Sequence, residues 1–380
     1  MKKQVLSTSA IALGVAMAAP ASAQEWDVSF GGFFSSHVAI VDSSGNNAGT
    51  ANGNDFDGLN SFVTGEIIFS PSVTLDNGMT FGVNVQMEAM NNGGGANNID
   101  ETYAEISSDT LGRIVIGGEN SAGYLSMVGA PSVTSLYINS PSISAFMPIS
   151  GAVPFNFRQA GLSSYTEVAG NNDVQRLSYY TPSFNGLTVG VSYARNNNGN
   201  ADGSFFGGGQ INNSAVATIE DIYDIGVNYS GSFGATDVNL GARYGSGSAI
   251  AAGVSDPETW GVGASVGFSG FTIGGSYTEN DNANGAGGWG PDQSGWSLGG
   301  TYDMAGPWAF EALTYQGNYE NTGGAGVDSD YIAYRVGASR DMGPGVDWDV
   351  YAIFAEGDAD ATAGTDIEST IVGTALNLSF

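Results

Sequence analysis

Apolar and small polar residues alternate along most of this chain. In the stretch 79–90, one phase is apolar and the other contains glycine, asparagine, glutamine and glutamate. The apolar phase there consists of Phe81, Val83, Val85 and Met87. A repeat of two residues puts alternate side chains on opposite faces of a β-strand. The pattern therefore predicts strands with one apolar face and one face of small polar residues.

The pattern recurs in about sixteen stretches. Short turns such as Ser269-Gly270 and 182–186 alternate with longer loops rich in Gly, Asn and Asp. Turn-forming residues between alternating stretches favour antiparallel strands joined in chain order. The predicted strands are 26–42, 60–70, 78–90, 99–107, 111–119, 174–181, 187–195, 218–230, 236–245, 258–268, 271–280, 294–304, 307–320, 329–342, 346–356 and 366–380.

The apolar face indicates what surrounds the sheet. A soluble sandwich would carry lysine and glutamate outside, whereas here the apolar phase often ends in an aromatic residue, as at Tyr193, Tyr277 and Trp348. Such rings are typical of the boundary between lipid and water in membrane barrels. Among β-sheets, only a closed barrel has no free edge and so gives all lipid-facing backbone groups partners. The sequence thus predicts an all-β fold, a transmembrane antiparallel β-barrel of about 16 strands around an aqueous channel.

One connection, 120–172, is far longer than the others. It contains four prolines and many small residues, and its only formal charges between Ser121 and Asn172 are Arg158 and Glu167. A structureless loop of this length is usually functional, and a surface loop would be more polar. We expect this third long loop to fold into the lumen and to set the size of the channel.

The amino terminus has the features of a secretory signal. Lys2 and Lys3 precede an apolar run, and Ala21-Ser22-Ala23 supplies the small residues of a cleavage site. We therefore predict a signal peptide over 1–23 and a barrel formed by 24–380. A membrane-anchoring helix is disfavoured because the apolar run is too short to cross about 30 Å of hydrocarbon.

Composition excludes several classes of function. The formal charge is −29, and removing Lys2 and Lys3 with the signal takes it to −31 and leaves seven arginines. Such a chain is not expected to bind nucleic acid. With no cysteine, with His37 as the one histidine and with no glycine-rich loop leading into a helix, we expect neither an enzyme nor a bound cofactor.

Several segments together resemble Gram-negative general diffusion porins, most closely the alphaproteobacterial type. They are the signal ending at 21–23, the segment 113–120 before the long loop, the segment 181–190, and the terminal Leu376, Leu378 and Phe380. The resemblance covers 24–380. It implies a homotrimer of sixteen-stranded barrels in the outer membrane, each narrowed by its third loop and open to passive diffusion of small hydrophilic solutes. It also implies that Phe380 is read by the outer-membrane assembly machinery.

One predicted strand gives separate support for a trimer. In 99–107, Glu101 and Glu105 lie in one phase and Asp100 in the other, so either orientation turns a carboxylate toward lipid. A neighbouring subunit covering this strand would remove the cost. Alternatively, Asp100 or Glu101 lies at the rim.

The polar phase contains the candidate residues of the pore. Fixed charge in a narrow channel sets ion preference, so we expect the strand arginines to supply most of the local field. The candidate basic residues are Arg113, Arg176, Arg243 and Arg335, with Arg158 on the long loop. The candidate acids on strands are Glu66, Glu88, Asp224 and Asp303. Alternatively, each of these charges is simply solvated in a wide channel.

Net charge leads to two further hypotheses. The field at the channel mouths favours cations. Acid pairs on the predicted outer loops would suit calcium ions that bridge to lipopolysaccharide, although they lack a full set of ligands and acidic loops are usually just solvated. The pairs are Asp55/Asp57, Asp328/Asp330 and Asp358/Asp360.

A substrate-specific outer-membrane channel with a saturable solute site is the alternative function. It would share the barrel but would need a row of aromatic side chains along the path. The long loop contains Tyr124, Tyr137, Phe146, Phe155 and Phe157. Saturable block by a solute would favour this alternative, and linear uptake would favour diffusion.

Overall fold

In the part of the chain that the computed structural model describes, sixteen strands form one closed antiparallel barrel. Every strand pairs with its neighbours in the sequence, and β1 pairs with β16. The strands are β1 (Asp27–Ser44), β2 (Gly58–Thr74), β3 (Thr80–Glu88), β4 (Ile99–Ser108), β5 (Gly112–Gly118), β6 (Gln175–Tyr180), β7 (Leu187–Asn196), β8 (Ile219–Phe233), β9 (Thr236–Ala249), β10 (Glu258–Phe268), β11 (Phe271–Asp281), β12 (Asp292–Asp303), β13 (Trp308–Glu320), β14 (Ser329–Gly343), β15 (Val346–Ala359) and β16 (Ile367–Ser379).

The described residues are 25–45, 56–89, 99–138, 143, 145–147, 167–168, 173–197, 218–282, 292–320, 328–359 and 366–380. The predicted signal peptide 1–23, the loop residue Arg158 and most of 139–172 lie outside these ranges. No helix within the described ranges is long and apolar enough to cross a membrane.

The predicted strand count and order are confirmed. Each predicted strand is present, and the ends differ by at most four residues, as at the carboxyl end of β9. The largest differences arise because backbone pairing continues past the last alternating apolar residue. The alternation of short turns and long loops is confirmed as well, so the short turns lie at one rim and the long loops at the other.

The short turns have the backbone geometry that their residues favour. Between β10 and β11, Ser269 and Gly270 have φ angles of 49° and 83°. Between β6 and β7, Asn185 and Gly186 have φ angles of 49° and 89°. Two successive left-handed residues match the twist of antiparallel hairpins, and glycine and asparagine tolerate this conformation best.

The two faces of the barrel differ as the alternation predicted. Large apolar residues of the outer face are exposed, for example Leu177 (52%), Ile273 (53%) and Val336 (52%). Exposure of apolar side chains outside a closed barrel is expected where lipid rather than water surrounds the protein. The other phase, which is rich in glycine and small polar residues, forms the inner face.

A register shift between β3 and β4 changes one prediction. Met87 pairs with Ile99, and beyond that pair Gln86 alone stands opposite both Asp100 and Glu101. Two residues facing one form a β-bulge, which re-aims a side chain. Ile99 then faces outward, while Glu101 accepts a hydrogen bond from Gln86 on the inner face (2.5 Å). The inference that this strand must turn a carboxylate toward lipid was wrong, because it assumed unbroken alternation.

Candidate functional site

A segment following β5 runs along the inner face of the barrel. We call residues 121–138 the strap. It begins at Ser121, whose Oγ accepts a hydrogen bond from the Tyr124 amide and so caps the short helix α1 (Ala122–Ser126). Its further contacts are Ala122 N to Ser192 Oγ of β7 (3.2 Å), Asn228 Nδ2 of β8 to Ser126 O (3.1 Å) and Ala130 N to Ser297 Oγ of β12 (3.2 Å).

The start of the strap is held by a buried charge cluster. Arg243 of β9 pairs with Asp224 of β8 and with Glu167 from the end of the long loop (3.4 Å). Glu167 also accepts a hydrogen bond from the Ser121 amide (2.8 Å). All three charged side chains are at most 2% exposed. Buried charges persist only when paired and hydrogen-bonded, and this cluster fixes both ends of the long loop against β8 and β9.

A second clamp holds the middle of the strap. Glu311 of β13 accepts hydrogen bonds from the Val133 amide (2.6 Å), the Thr134 amide (3.2 Å) and the Thr134 hydroxyl (2.6 Å). Arg335 of β14 approaches the same carboxylate at 2.7 Å and also donates to the Leu136 carbonyl and the Ser132 hydroxyl. Charge-assisted hydrogen bonds of this kind are stronger than neutral ones, so this pair fixes the strap's main chain directly.

Asp349 of β15 holds the strap at Ser135. Its carboxylate accepts hydrogen bonds from the Ser135 amide and hydroxyl, both at 2.9 Å, and from Asn377 Nδ2 at 2.7 Å. Asp349 is 1% exposed. Nearby, the Tyr331 hydroxyl donates to the Ile138 carbonyl (2.9 Å).

Beyond these polar contacts, apolar side chains of the long loop pack against the inner face of the barrel. Phe146 meets Phe62 of β2 edge-to-face with centroids 5.4 Å apart, and Phe62 stacks on His37 of β1 at 4.7 Å. His37 Nδ1 and the Tyr351 hydroxyl are hydrogen-bonded (3.1 Å). The buried cluster joins loop residues to the inner face of β1 and β13–β16. Its loop members are Leu136, Ile138, Ile143, Phe146 and Met147. Each fully buried apolar side chain contributes about 1.5–3 kcal/mol.

The inner face of β2–β5 has a different character. Glu66 of β2 stands directly opposite Glu88 of β3. Arg113 of β5 pairs with Glu105 of β4 at 3.3 Å, and these two side chains remain 35% and 30% exposed. Arg113 also lies over the Tyr180 ring, 4.5 Å from its centroid. We call the partly exposed charged residues Glu66, Glu88, Glu105 and Arg113 the open wall.

The predicted pore residues fall into separate groups. Arg243 and Arg335 lie on the inner face but are buried and paired with carboxylates. These two arginines therefore do not match the expectation that the strand arginines supply most of the local field. Arg176 is also buried, opposite Gly117 and Ala194. Asp224 belongs to the buried charge cluster around Arg243.

The remaining candidates lie away from the clamps. Glu66, Glu88 and Arg113 belong to the open wall. Asp303 is exposed at the short-turn end of β12, in a cleft that Val133 and Trp308 also line.

Glu311 and Asp349 were missed by sequence reasoning. Both stand in the polar phase of predicted strands, and that position is the one signal the sequence offers. Their hydrogen-bond partners are backbone amides and hydroxyls of a distant loop, which no spacing in the sequence connects to them.

The calcium hypothesis rests partly on residues that are not described. Asp55 and Asp360 lie outside the described ranges. Among the residues inside those ranges, no group of three or more His, Cys, Asp or Glu side chains could hold a metal ion.

A family model described as Gram-negative porin matches residues 7–362. The chain belongs to the Gram-negative porin family. It is an outer-membrane protein that forms a water-filled channel for passive diffusion of small hydrophilic solutes. The family and the fold are those of channels rather than of enzymes.

Solved structures share the fold at low sequence identity. An anion-selective porin from Comamonas acidovorans is 16% identical with a TM-score of 0.56, covering 94% of this chain and 100% of that one. OmpT of Vibrio cholerae in its trimer form is 14% identical with a TM-score of 0.57, covering 93% and 99%. A mutant of the Rh. blastica porin is 16% identical with a TM-score of 0.53, covering 93% and 100%. No protein with a curated description matches the chain.

Proposed function

We propose that the strap is the constriction of this porin and that the open wall gives the channel a preference for cations. The observation that supports the first part is the course of the strap. In eighteen residues it touches inner-face groups of every strand from β7 to β15, the contacts with β10 and β11 being made to Gly263 and Gly274. A segment this short can contact so many strands of a closed barrel only from the lumen, because the inner faces of all the strands line that one space.

Cysteine labelling tests the position of the strap. The chain contains no cysteine, so Tyr137→Cys introduces one thiol at a strap side chain that is 44% exposed. A water-soluble thiol reagent added to the open channel should react and lower the single-channel conductance. The matched control is Ile273→Cys, which is 53% exposed on the outer face and should not respond in a lipid bilayer. An unchanged conductance in labelled Tyr137→Cys would exclude the strap from the constriction.

The preference for cations follows from the local distribution of charge. Arg243 and Arg335 are paired and buried, so their positive charges are compensated where they lie. The open wall contains three carboxylates, those of Glu66, Glu88 and Glu105, and one arginine, Arg113. Fixed negative charge in a narrow aqueous path concentrates cations.

A salt gradient across a planar bilayer tests this preference. The reversal potential should have the sign of a channel more permeable to potassium than to chloride. A potential of the opposite sign would mean that the arginines dominate the field. The Comamonas porin, described as anion-selective, shows that this fold also carries the opposite preference.

We also propose a homotrimer. OmpT, with which this chain shares its fold, is described in a trimer form. The bulge in β4 removes the separate support that the sequence offered, so the proposal now rests on that likeness. Cross-linking in outer-membrane vesicles should give a band of three subunits, and recovery of monomer alone would count against it.

The carboxyl terminus is the proposed signal for the outer-membrane assembly machinery. Phe380 is 71% exposed, and its amide and carbonyl exchange hydrogen bonds with Gly32 of β1 (3.1 and 3.0 Å). Its side chain is thus presented at the closing seam of the barrel. Phe380→Ala should lower the amount of folded protein in the outer membrane, and an unchanged amount would argue against recognition. Contact with outer-membrane lipid and lipopolysaccharide remains part of the same proposal.

A further inference from the structure

Beneath the first part of the strap, the wall of the barrel contains a row of glycines. Gly241 of β9 and Gly263 of β10 face each other across the strand pair. A Cβ atom at Gly241 would lie 2.6 Å from the Ser126 carbonyl oxygen and 2.8 Å from the Val128 amide nitrogen. A Cβ atom at Gly263 would overlap the Val128 carbonyl oxygen. Real Cβ atoms essentially never approach another heavy atom within 3.0 Å, so the strap lies too close for any side chain.

The neighbouring strand β8 continues this row. A Cβ atom at Gly226 of β8 would overlap the Ala122 carbonyl oxygen. At Gly274 of β11 the nearest atoms belong to β10, Ser265 Cβ at 2.7 Å and the Ala264 carbonyl oxygen at 2.8 Å, so the barrel wall itself excludes a side chain there. We call Gly226, Gly241 and Gly263 the seat. The atoms that exclude a side chain at these positions include main-chain atoms of the strap, which cannot rotate away as the end of a side chain can.

Backbone conformation does not explain these glycines. None of the three has a φ angle in the left-handed region where glycine is favoured over other residues. Gly267 lies on the same strand and the same face as Gly263. A Cβ atom at Gly267 would meet Thr272 Oγ1 at 3.5 Å and Asp237 Cβ at 3.6 Å, which are ordinary contacts. The close approach of the strap therefore distinguishes the seat from other glycines of the inner face.

We propose that the seat fixes the distance between strap and wall, and that these three glycines are size-determining residues of the channel. This rests on the proposed role of the strap as the constriction. The clamps at Arg243 and Glu311 hold the strap at positions on either side of the seat, and the glycines set how closely it lies against the wall between them. A methyl group at the seat pushes the strap's main chain toward the lumen and narrows the open section.

Single alanine substitutions test the seat. In Gly263→Ala, single-channel conductance should fall by about one-fifth or more, because conductance follows the open section of the constriction. Liposome swelling with sugars of increasing size should show a lower size limit. Gly263→Val should lower both further. Gly267→Ala, the matched control, should conduct as the natural sequence does.

Folding is checked first by heat-modifiable migration on gels. In Gly241→Ala the new methyl group overlaps the strap less severely. This variant is used for the same conductance and size-limit measurements if Gly263→Ala does not fold. A folded Gly263→Ala or Gly241→Ala channel with unchanged conductance and size limit would overturn the inference, and so would an equal fall in Gly267→Ala. Thiol block of Tyr137→Cys separates the two proposals. If the block occurs while the seat variants conduct normally, the seat alone fails; if the block does not occur, the constriction itself fails.

Discussion

The strap-covered wall and the open wall share one sequence pattern but use its charges differently. Under the strap, Glu311 lies 2.7 Å from Arg335 and neither side chain is more than 1% exposed. On the open wall, Glu66 stands opposite Glu88, a pair of like charges. A charge in the inner phase of a strand is therefore not automatically a charge in the channel.

The difference has a simple electrostatic reason. Removing a charge from water is costly, so a buried carboxylate needs a cation and hydrogen-bond donors around it. Two carboxylates that keep part of their hydration repel each other weakly, because water screens them. The strap supplies the donors on one side of the barrel, whereas on the other side the carboxylates stay partly exposed. Four substitutions follow from this contrast, from the largest expected effect to the smallest.

Loss of Glu311 should have the largest effect. Glu311→Leu leaves Arg335 buried without its carboxylate and removes the acceptor of two strap amides, so the free energy of unfolding should fall by about 3–5 kcal/mol. The strap should loosen, which would make the conductance noisier and raise the size limit for sugars. Urea unfolding in lipid and single-channel recording measure the two effects.

The double variant Glu311→Leu/Arg335→Leu is the control for this substitution. Replacing both members of a buried pair by apolar residues costs less than removing one. Stability should return toward that of the natural sequence, while the size limit stays raised because the Val133 and Thr134 amides still lack their acceptor. A double variant with a normal size limit would show that Glu311 does not position the strap.

Asp349 should give the next largest effect. Asp349→Ala removes the acceptor shared by the Ser135 amide and hydroxyl, which should cost about 1–3 kcal/mol in the free energy of unfolding. Asp349→Asn keeps an acceptor oxygen of the same shape and should retain most of the stability. Equal losses in the two variants would mean that charge, rather than hydrogen bonding to the strap, is what Asp349 provides.

The open wall should respond in selectivity instead of stability. In Glu66→Gln/Glu88→Gln, the ratio of potassium to chloride permeability should fall about two- to fivefold at low salt, because fixed charge near the path sets the local ion concentrations. The difference should shrink at high salt, where the Debye length is about 3 Å. Glu258→Gln removes an exposed charge from the outer phase of β10 and should leave the ratio unchanged. An unaltered ratio in the double variant would remove the open wall from the selectivity proposal.

Arg113 should have the smallest effect. It is already opposed by Glu105, and both side chains are partly solvated. Arg113→Gln should raise the preference for potassium by less than about twofold, since an exposed pair contributes little. A larger rise, or a fall, in the measured reversal potential would mean that Arg113 controls the field on its own.

Alternation fixed the fold from local information. Outer-face residues such as Leu177 and Ile273, and turns such as Ser269-Gly270, carry their structural meaning within a few neighbours, because side-chain direction in a strand depends on position alone. That is why sixteen strands and their order were predictable. The one local error, at Asp100 and Glu101, came from a bulge, which breaks the period of two without a mark in the sequence.

The site depended on contacts that no local pattern contains. Arg335 has the same phase and composition of neighbours as a channel-lining residue would have, and only the arrival of Leu136 and Ser132 buries it. Glycines at positions 263 and 267 look alike in sequence, yet one lies under the strap's main chain and the other does not. The sequence by itself determined the barrel, its two faces and its long third loop. The tertiary structure decided which inner charges are neutralised and where the wall must be glycine, because both depend on where a distant segment comes to rest.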